Sequence, residues 1–320
     1  MTSRLSIFGV SGVSLGVVFA SLFALSVAFR DVYFGNVFQT LSFFGVVVLA
    51  FSVCTVGFNA VVMSTNRAQY AQMLTCWQDV VAVNVFTASA WLAYFFALTH
   101  LEPSIVNTLF SGIAPLTLIV LARSGIYRRA VTRTTRLEQL AQLGVLLSLL
   151  FLAAVTLRGL AGFSTASTTT QVLGLVLALF SGVSITVAGL YSKRLHDAGL
   201  SAESVLAVRF ILLILVSAGT LGLRADTSLI QLPTTMLVTL SLAATLLIVL
   251  PIYLGQWALV LTSVMTYTVV SALQPALLFT LQLLDPRISY SGYSLAGISA
   301  YSLMVLLGAV AHARGMRAQH

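Results

Sequence analysis

The 320 residues are 59% hydrophobic and only 8% charged, with a net charge of +8. A water-soluble domain carries roughly 25% charged residues, so most of this exterior must face lipid, and no stretch is polar enough to form a sizeable soluble domain. The basic residues are spread over short segments between apolar runs, which argues against a nucleic-acid surface and fits the positive-inside rule of membrane proteins.

A membrane helix needs about 20 mostly apolar residues. Runs of that kind predict an all-α integral membrane fold of ten transmembrane helices, at 6–29, 40–63, 77–99, 103–122, 139–157, 171–192, 203–223, 235–260, 264–284 and 292–312. The first run, Ile7 to Phe29, is too long for a signal-peptide core and has no small-residue cleavage pattern, so it reads as span 1. It carries no ionisable group.

Span 3 places Asn84, Thr87, Trp91 and Tyr94 along one helix face. Such a stripe is costly against lipid and should face protein or a water-filled cavity. The turn His100-Leu101-Glu102-Pro103 follows. Pro103 suits the first helical turn of span 4, and Glu102 before it complements the helix dipole. Span 4 adds Asn107 and Ser111, then Pro115, which removes a backbone hydrogen bond and predicts a kink. Arg123, Arg128, Arg129, Arg133 and Arg136 cluster before span 5.

In the second half, Arg209 lies about 9 Å into span 7 at ~1.5 Å per residue. Asp79 lies at a comparable depth in span 3, and the two are expected to pair as a gate. Alternatives are an arginine that reaches the interface and one that contacts an anionic substrate. Span 8 offers Pro251 as a second kink, followed by Tyr253, Gln256 and Trp257 on one face. Span 9 offers Tyr267, Ser271 and Gln274, then a third kink at Pro275. Packing of neighbouring helices is the plainer reading of each stripe. Their convergence near the kinks makes them the candidate substrate site.

With both termini in the cytoplasm, ten alternating spans put eleven basic residues inside: Arg4, Arg67, the arginine cluster, Lys193, Arg194, Arg314 and Arg317. Four remain outside, namely Arg30, Arg158, Arg224 and Arg287. That asymmetry is what the positive-inside rule predicts. The chain also divides at about residue 160. Aligned on Pro115 and Pro275, Asn107 falls on Tyr267 and Ser111 on Ser271. Five spans per half is an odd number, so residues 161–320 should repeat residues 1–160 upside down, an arrangement typical of transporters.

Several segments resemble the drug/metabolite transporter superfamily, specifically its bacterial ten-span exporters with paired EamA-type repeats. They are Tyr94-Phe95-Phe96-Ala97-Leu98 with Pro115, Tyr191-Ser192-Lys193-Arg194, Leu206-Ala207-Val208-Arg209-Phe210, and Ala258-Leu259 with Pro275 and the run Gly297 to Gly308. The resemblance implies that spans 1–4 and 6–9 surround a central cavity. It also implies that spans 5 and 10 lie at the edge as a homodimer contact, and that transport proceeds by rocking the halves. The family's Gly-Glu-Arg-like turn is not matched here, since span 4 continues Arg123-Ser124-Gly125-Ile126 and span 9 ends Asp285-Pro286-Arg287.

His100, His196, His312 and His320 fall at span ends or in the tail, and Cys54 and Cys76 are poorly spaced for metal. No catalytic constellation, metal site or cofactor is therefore expected. The expected function is secondary transport of an amino acid or other small metabolite across a bacterial inner membrane, by alternating access and in the export direction. A nucleotide-sugar or sugar-phosphate exchanger is the alternative, and a flippase for lipid-linked substrates a third. Phosphate-bearing solutes should want two or more cations in the cavity. Only Arg209 stands inside a predicted span.

Overall fold

The computed structural model describes residues 12–123, 135–163, 167–226, 231–261, 270 and 273–317. Within them the chain is helical, without strands, and nine helical segments are long and apolar enough to cross a membrane. This is an all-helical integral membrane architecture. The first part of the expected ninth span, 264–269 with 271 and 272, lies outside the described residues, as do Tyr267, Ser271, the side chain of Gln256 and most of the arginine cluster.

Helix α1 is Gly12–Val37, α2 Phe43–Thr65, α3 the short Ala68–Thr75, and α4 Trp77–His100. Span 4 is two helices, α5 Pro103–Gly112 and α6 Ala114–Arg123. They are followed by α7 Arg136–Leu157 and α8 Thr168–Asp197. Span 7 is α9 Ala202–Val208 and α10 Ile211–Arg224. Span 8 is α11 Thr234–Ala244, a π turn Thr245–Val249 and α12 Leu250–Leu261. The remaining helices are α13 Gln274–Gln282 and α14 Gly292–Arg317.

Local chemistry sets these ends. Pro103 occupies the first turn of α5, where its missing N–H costs nothing. Thr135 and Glu138 form a reciprocal capping box at the start of α7. Ser167 and Ser201 cap α8 and α9. The interruption between α5 and α6 falls at Ile113, two residues before Pro115, where the proline ring cannot continue the hydrogen-bond ladder. The π turn sits immediately before Pro251, where the ladder must widen for the same reason. Pro275 repeats the setting of Pro115: it is the second residue of α13 and follows a turn at Leu273, while residues 271 and 272 before that turn lie outside the described residues.

Span 1 also differs. It runs on past Phe29 to Val37 and carries Arg30 and Asp31 inside the helix. Two opposite charges side by side cancel, so the helix need not end where the first charge appears. Arg30 accordingly leaves the group of outside arginines.

The major packing pairs are α1 with α12 and α13, α2 with α9 and α10, and α4 with α8 and α10. Helix α5 packs on α8 and α13, and α7 lies against α14. Close approach is bought by small residues. A Cβ on Gly182 of α8 would collide with the Phe110 carbonyl of α5, and one on Gly112 would come within 2.7 Å of Leu149. Gly144 and Gly297 do the same for α7 against α14, facing Met304 and Leu152. Spans 5 and 10 are thus partners of each other within one chain. The opposite face of α7 leaves Leu140, Leu143, Leu147 and Leu150 exposed.

Candidate functional site

Two polar centres lie along the α4 stripe among the described residues. The first is built on Arg30 and Asp31 of α1. Neighbours in a helix do not face each other, so the Arg30 side chain must fold back to reach Asp31. It does so with Nε and Nη2 each 2.8 Å from Oδ1. The α4 stripe guides it: the guanidinium lies 5.1 Å from the Trp91 ring centre and 5.8 Å from that of Tyr94. The other carboxylate oxygen accepts from Tyr94 Oη at 2.6 Å and from Asn107 Nδ2 at 3.1 Å. Asp31 and Tyr94 are almost wholly buried, and Arg30 is 6% exposed. Three helices of the first half, α1, α4 and α5, are tied here around one carboxylate. The Asn107 Oδ1 has no hydrogen-bond partner among the described residues.

The second centre is the interruption between α9 and α10, where backbone groups that lose their helical partners must find others. Asn84 Oδ1 on α4 accepts from the Leu212 N–H at 3.1 Å. Asn59 Nδ2 on α2 donates to the Ala207 carbonyl at 2.7 Å and is itself held by Tyr70 Oη. The first half therefore supplies the caps for a break in the second. At the break, Arg209 Nε donates to Thr87 Oγ1 at 2.9 Å. Arg209 is partly exposed, and no carboxylate lies within ion-pair distance of it among the described residues.

Phe51 links the two centres, with its ring 5.2 Å from Trp91 and 4.8 Å from Phe210. Asn84, Thr87, Trp91, Tyr94 and Asn107 thus belong to one connected region. Ser111 is attached through Asn107, whose carbonyl accepts its hydroxyl at 2.8 Å, and lies 3.1 Å from Tyr301 Oη on α14. Gln274 is buried in the first turn of α13. Tyr253 and Trp257 pair edge to face at 6.2 Å on α12, and both are exposed. The structure does not bring them to the α4 stripe.

The expected Asp79–Arg209 pair is not formed. Asp79 lies 3.8 Å from Arg194, at the end of α8, in a solvent-accessible pair of the kind worth little. Packing of α4 against α8 brings Arg194 to Asp79. Arg194 had been placed in an inter-span segment, so sequence reasoning did not offer it as a partner.

Glu102 also differs from its expected role. Its carboxylate is fully buried and accepts four hydrogen bonds: Ser104 Oγ at 2.7 Å, Gly162 N–H at 2.7 Å, Gln282 Nε2 at 2.6 Å and Ser294 Oγ at 2.7 Å. The N–H of Ser104, in the first turn of α5, is taken by Gln282 instead. Glu102 is a tie between four segments more than a helix cap. At the same end, Arg287 binds Asp285 and donates to the Gly35 carbonyl at 2.9 Å. Burial pushes the Asp285 carboxyl up, but hydrogen bonds from Arg287 and its charge outweigh that and hold the group below its ordinary value of 3.8.

No family model matches the chain, and no curated protein is similar to it. Among solved structures, a crystal structure described only as that of a protein superposes with a TM-score of 0.60. The match covers 94% of this chain and 99% of the other, at 16% identity. The likeness is one of fold. Fold and polar centres together define the class: a polytopic helical membrane protein with ionisable groups between its helices.

Proposed function

We propose that the chain is a secondary transporter that moves an amino acid or other small metabolite across the bacterial inner membrane by alternating access. The observation that carries this reading is the pattern of helix pairs. Numbered as spans, the most extensive pairs among the described residues are 1–8 and 3–6, 1–9 and 4–6, 2–8 and 3–7, then 2–7, 4–9 and 5–10, while smaller contacts such as 4–10 and 1–3 lie outside this set. Exchanging each span for the one five places away turns the first six into one another and leaves the last three unchanged. A two-fold relation between residues 1–160 and 161–320 produces that behaviour, and with five spans per half the relation inverts one half. Interrupted spans and ionisable side chains between inverted halves are the parts from which carriers build midplane sites. With it we propose the drug/metabolite transporter class and export as the direction, on the sequence resemblance alone, and termini on the cytoplasmic side, on the distribution of arginines in the sequence. Spans 5 and 10, paired at the edge with exposed leucines, would form the homodimer contact.

The test is counterflow in proteoliposomes. Vesicles loaded with unlabelled amino acids should accumulate the labelled counterpart of at least one of them above protein-free vesicles. Trp91→Ala should abolish the signal while the purified variant still elutes as a folded species. Absence of exchange with amino acids, nucleotide sugars and sugar phosphates alike would remove the transporter reading.

A further inference from the structure

The two arginines within the bundle differ in one respect that has chemical content. Arg30 has its counter-charge beside it in the chain. Arg209 has none among the described residues, although it stands about 10 Å inside its span at ~1.5 Å per residue. An unpaired cation at that depth is expensive and by default marks a function. The backbone groups at the break are capped by Asn59 and Asn84, so the guanidinium is not needed for them; it meets Thr87 and, at 5.9 Å, the Phe210 ring. The guanidinium offers five N–H donors in a planar fork. One of them, on Nε, goes to Thr87.

We infer that Arg209 is the docking point for the carboxylate of a monoanionic solute. One free cation matches one negative charge, and the guanidinium fork matches a carboxylate with two parallel hydrogen bonds. Thr87 holds the fork by Nε and leaves the terminal nitrogens for the ligand. The α10 N-terminus starts at Ile211, beside Arg209, and adds its partial positive charge. Trp91, one turn from Thr87 on the same face of α4, provides an apolar wall for the body of the solute. This deepens the transporter reading and rests on it for the word substrate; binding itself does not require transport.

The experiment measures thermal unfolding of the full chain in neutral-lipid nanodiscs at constant ionic strength. The probes are sodium acetate, sodium benzoate and sodium phosphate, with benzamide as the uncharged control. Wild-type protein should gain a saturable rise in midpoint with at least one of the two carboxylates and none with benzamide. Arg209→Gln should lose that response. Thr87→Asp, which places a carboxylate beside Arg209 within the chain, should raise the midpoint without any added salt and abolish the response. No response of wild type to either carboxylate would overturn the inference, as would an equal response in Arg209→Gln. A larger response to phosphate would overturn the monocarboxylate class. Should Thr87→Asp fail to fold, Arg209→Gln alone decides. Anion binding without exchange in proteoliposomes would remove the transporter reading and leave the site standing; exchange without an Arg209-dependent response would do the reverse.

Discussion

Arg30 and Arg209 sit well inside apolar helices, and the chain treats them in opposite ways. Around Arg30 the chain supplies the carboxylate, two donors to that carboxylate and two aromatic faces to steer the guanidinium. Around Arg209 it supplies one hydroxyl and one ring, that of Phe210 at 5.9 Å, and spends its asparagines on the backbone instead. Desolvating an ion pair is costly, and the return comes only when the surrounding hydrogen bonds are complete. The first centre meets that condition closely enough to serve as a joint between α1, α4 and α5. The second does not, which leaves a cation whose complement has to come from elsewhere.

Substitutions can break the contrast or sharpen it. Asp31→Asn should have the largest effect, because it strands Arg30 in the core. Loss of one partner of a buried pair costs about 3–5 kcal/mol, read as a lower unfolding midpoint or loss of folded protein on purification. Replacing both residues by leucine should recover most of that loss. Failure of the double variant to do so would mean that the pair has a role beyond charge balance. Asn84→Ala should cost less, about 1–2 kcal/mol, since one buried N–H at Leu212 loses its acceptor. Faster amide exchange at Leu212 would locate that effect at the break.

Arg209→Met should fall within about 1 kcal/mol of wild type in the absence of anions, because removing an unpaired, half-buried charge also removes its desolvation cost. A loss as large as that of Asp31→Asn would equalise the two arginines and end the comparison. The smallest effect concerns the charged pair at the bundle's end. A carboxyl held below its ordinary value stabilises the fold above that value, and the contribution disappears as pH falls through the folded value. The difference in midpoint between wild type and Asp285→Asn should therefore be present above pH 3.8 and close below it. A gap that widens in acid would contradict the sign.

The helical membrane architecture was legible because apolar runs of membrane length leave few alternatives. The α4 stripe was legible too, since Asn84, Thr87, Trp91 and Tyr94 recur at helical spacing. Arg30 and Asp31 were lost to the same logic that found the spans, because a charge ends an apolar run by any hydropathy measure. The remaining cue was adjacency of opposite signs. Asn59 gave no signal, as its partner is a carbonyl freed by an interruption 148 residues away. That interruption contains neither proline nor glycine: Val208-Arg209-Phe210-Ile211 has no local breaker, and tertiary contacts decide it. The Asp79 assignment failed because depth along two helices does not specify which neighbour stands between them.

The four hydrogen bonds of Glu102 bear on how the protein is made. One donor, Ser104, is two residues away and emerges from the ribosome almost together with the acid. The others come from Gly162, Gln282 and Ser294, the last 192 positions later. Until α13 and α14 are in place, the carboxylate in the turn between α4 and α5 lacks the donors from Gln282 and Ser294. Only arrival of the final hairpin, α13 and α14, lets that end dehydrate and close. Glu102 thus ties the α4–α5 turn to α13 and α14. A chain truncated before residue 282 would keep only two of the four donors to this acid, Ser104 and Gly162.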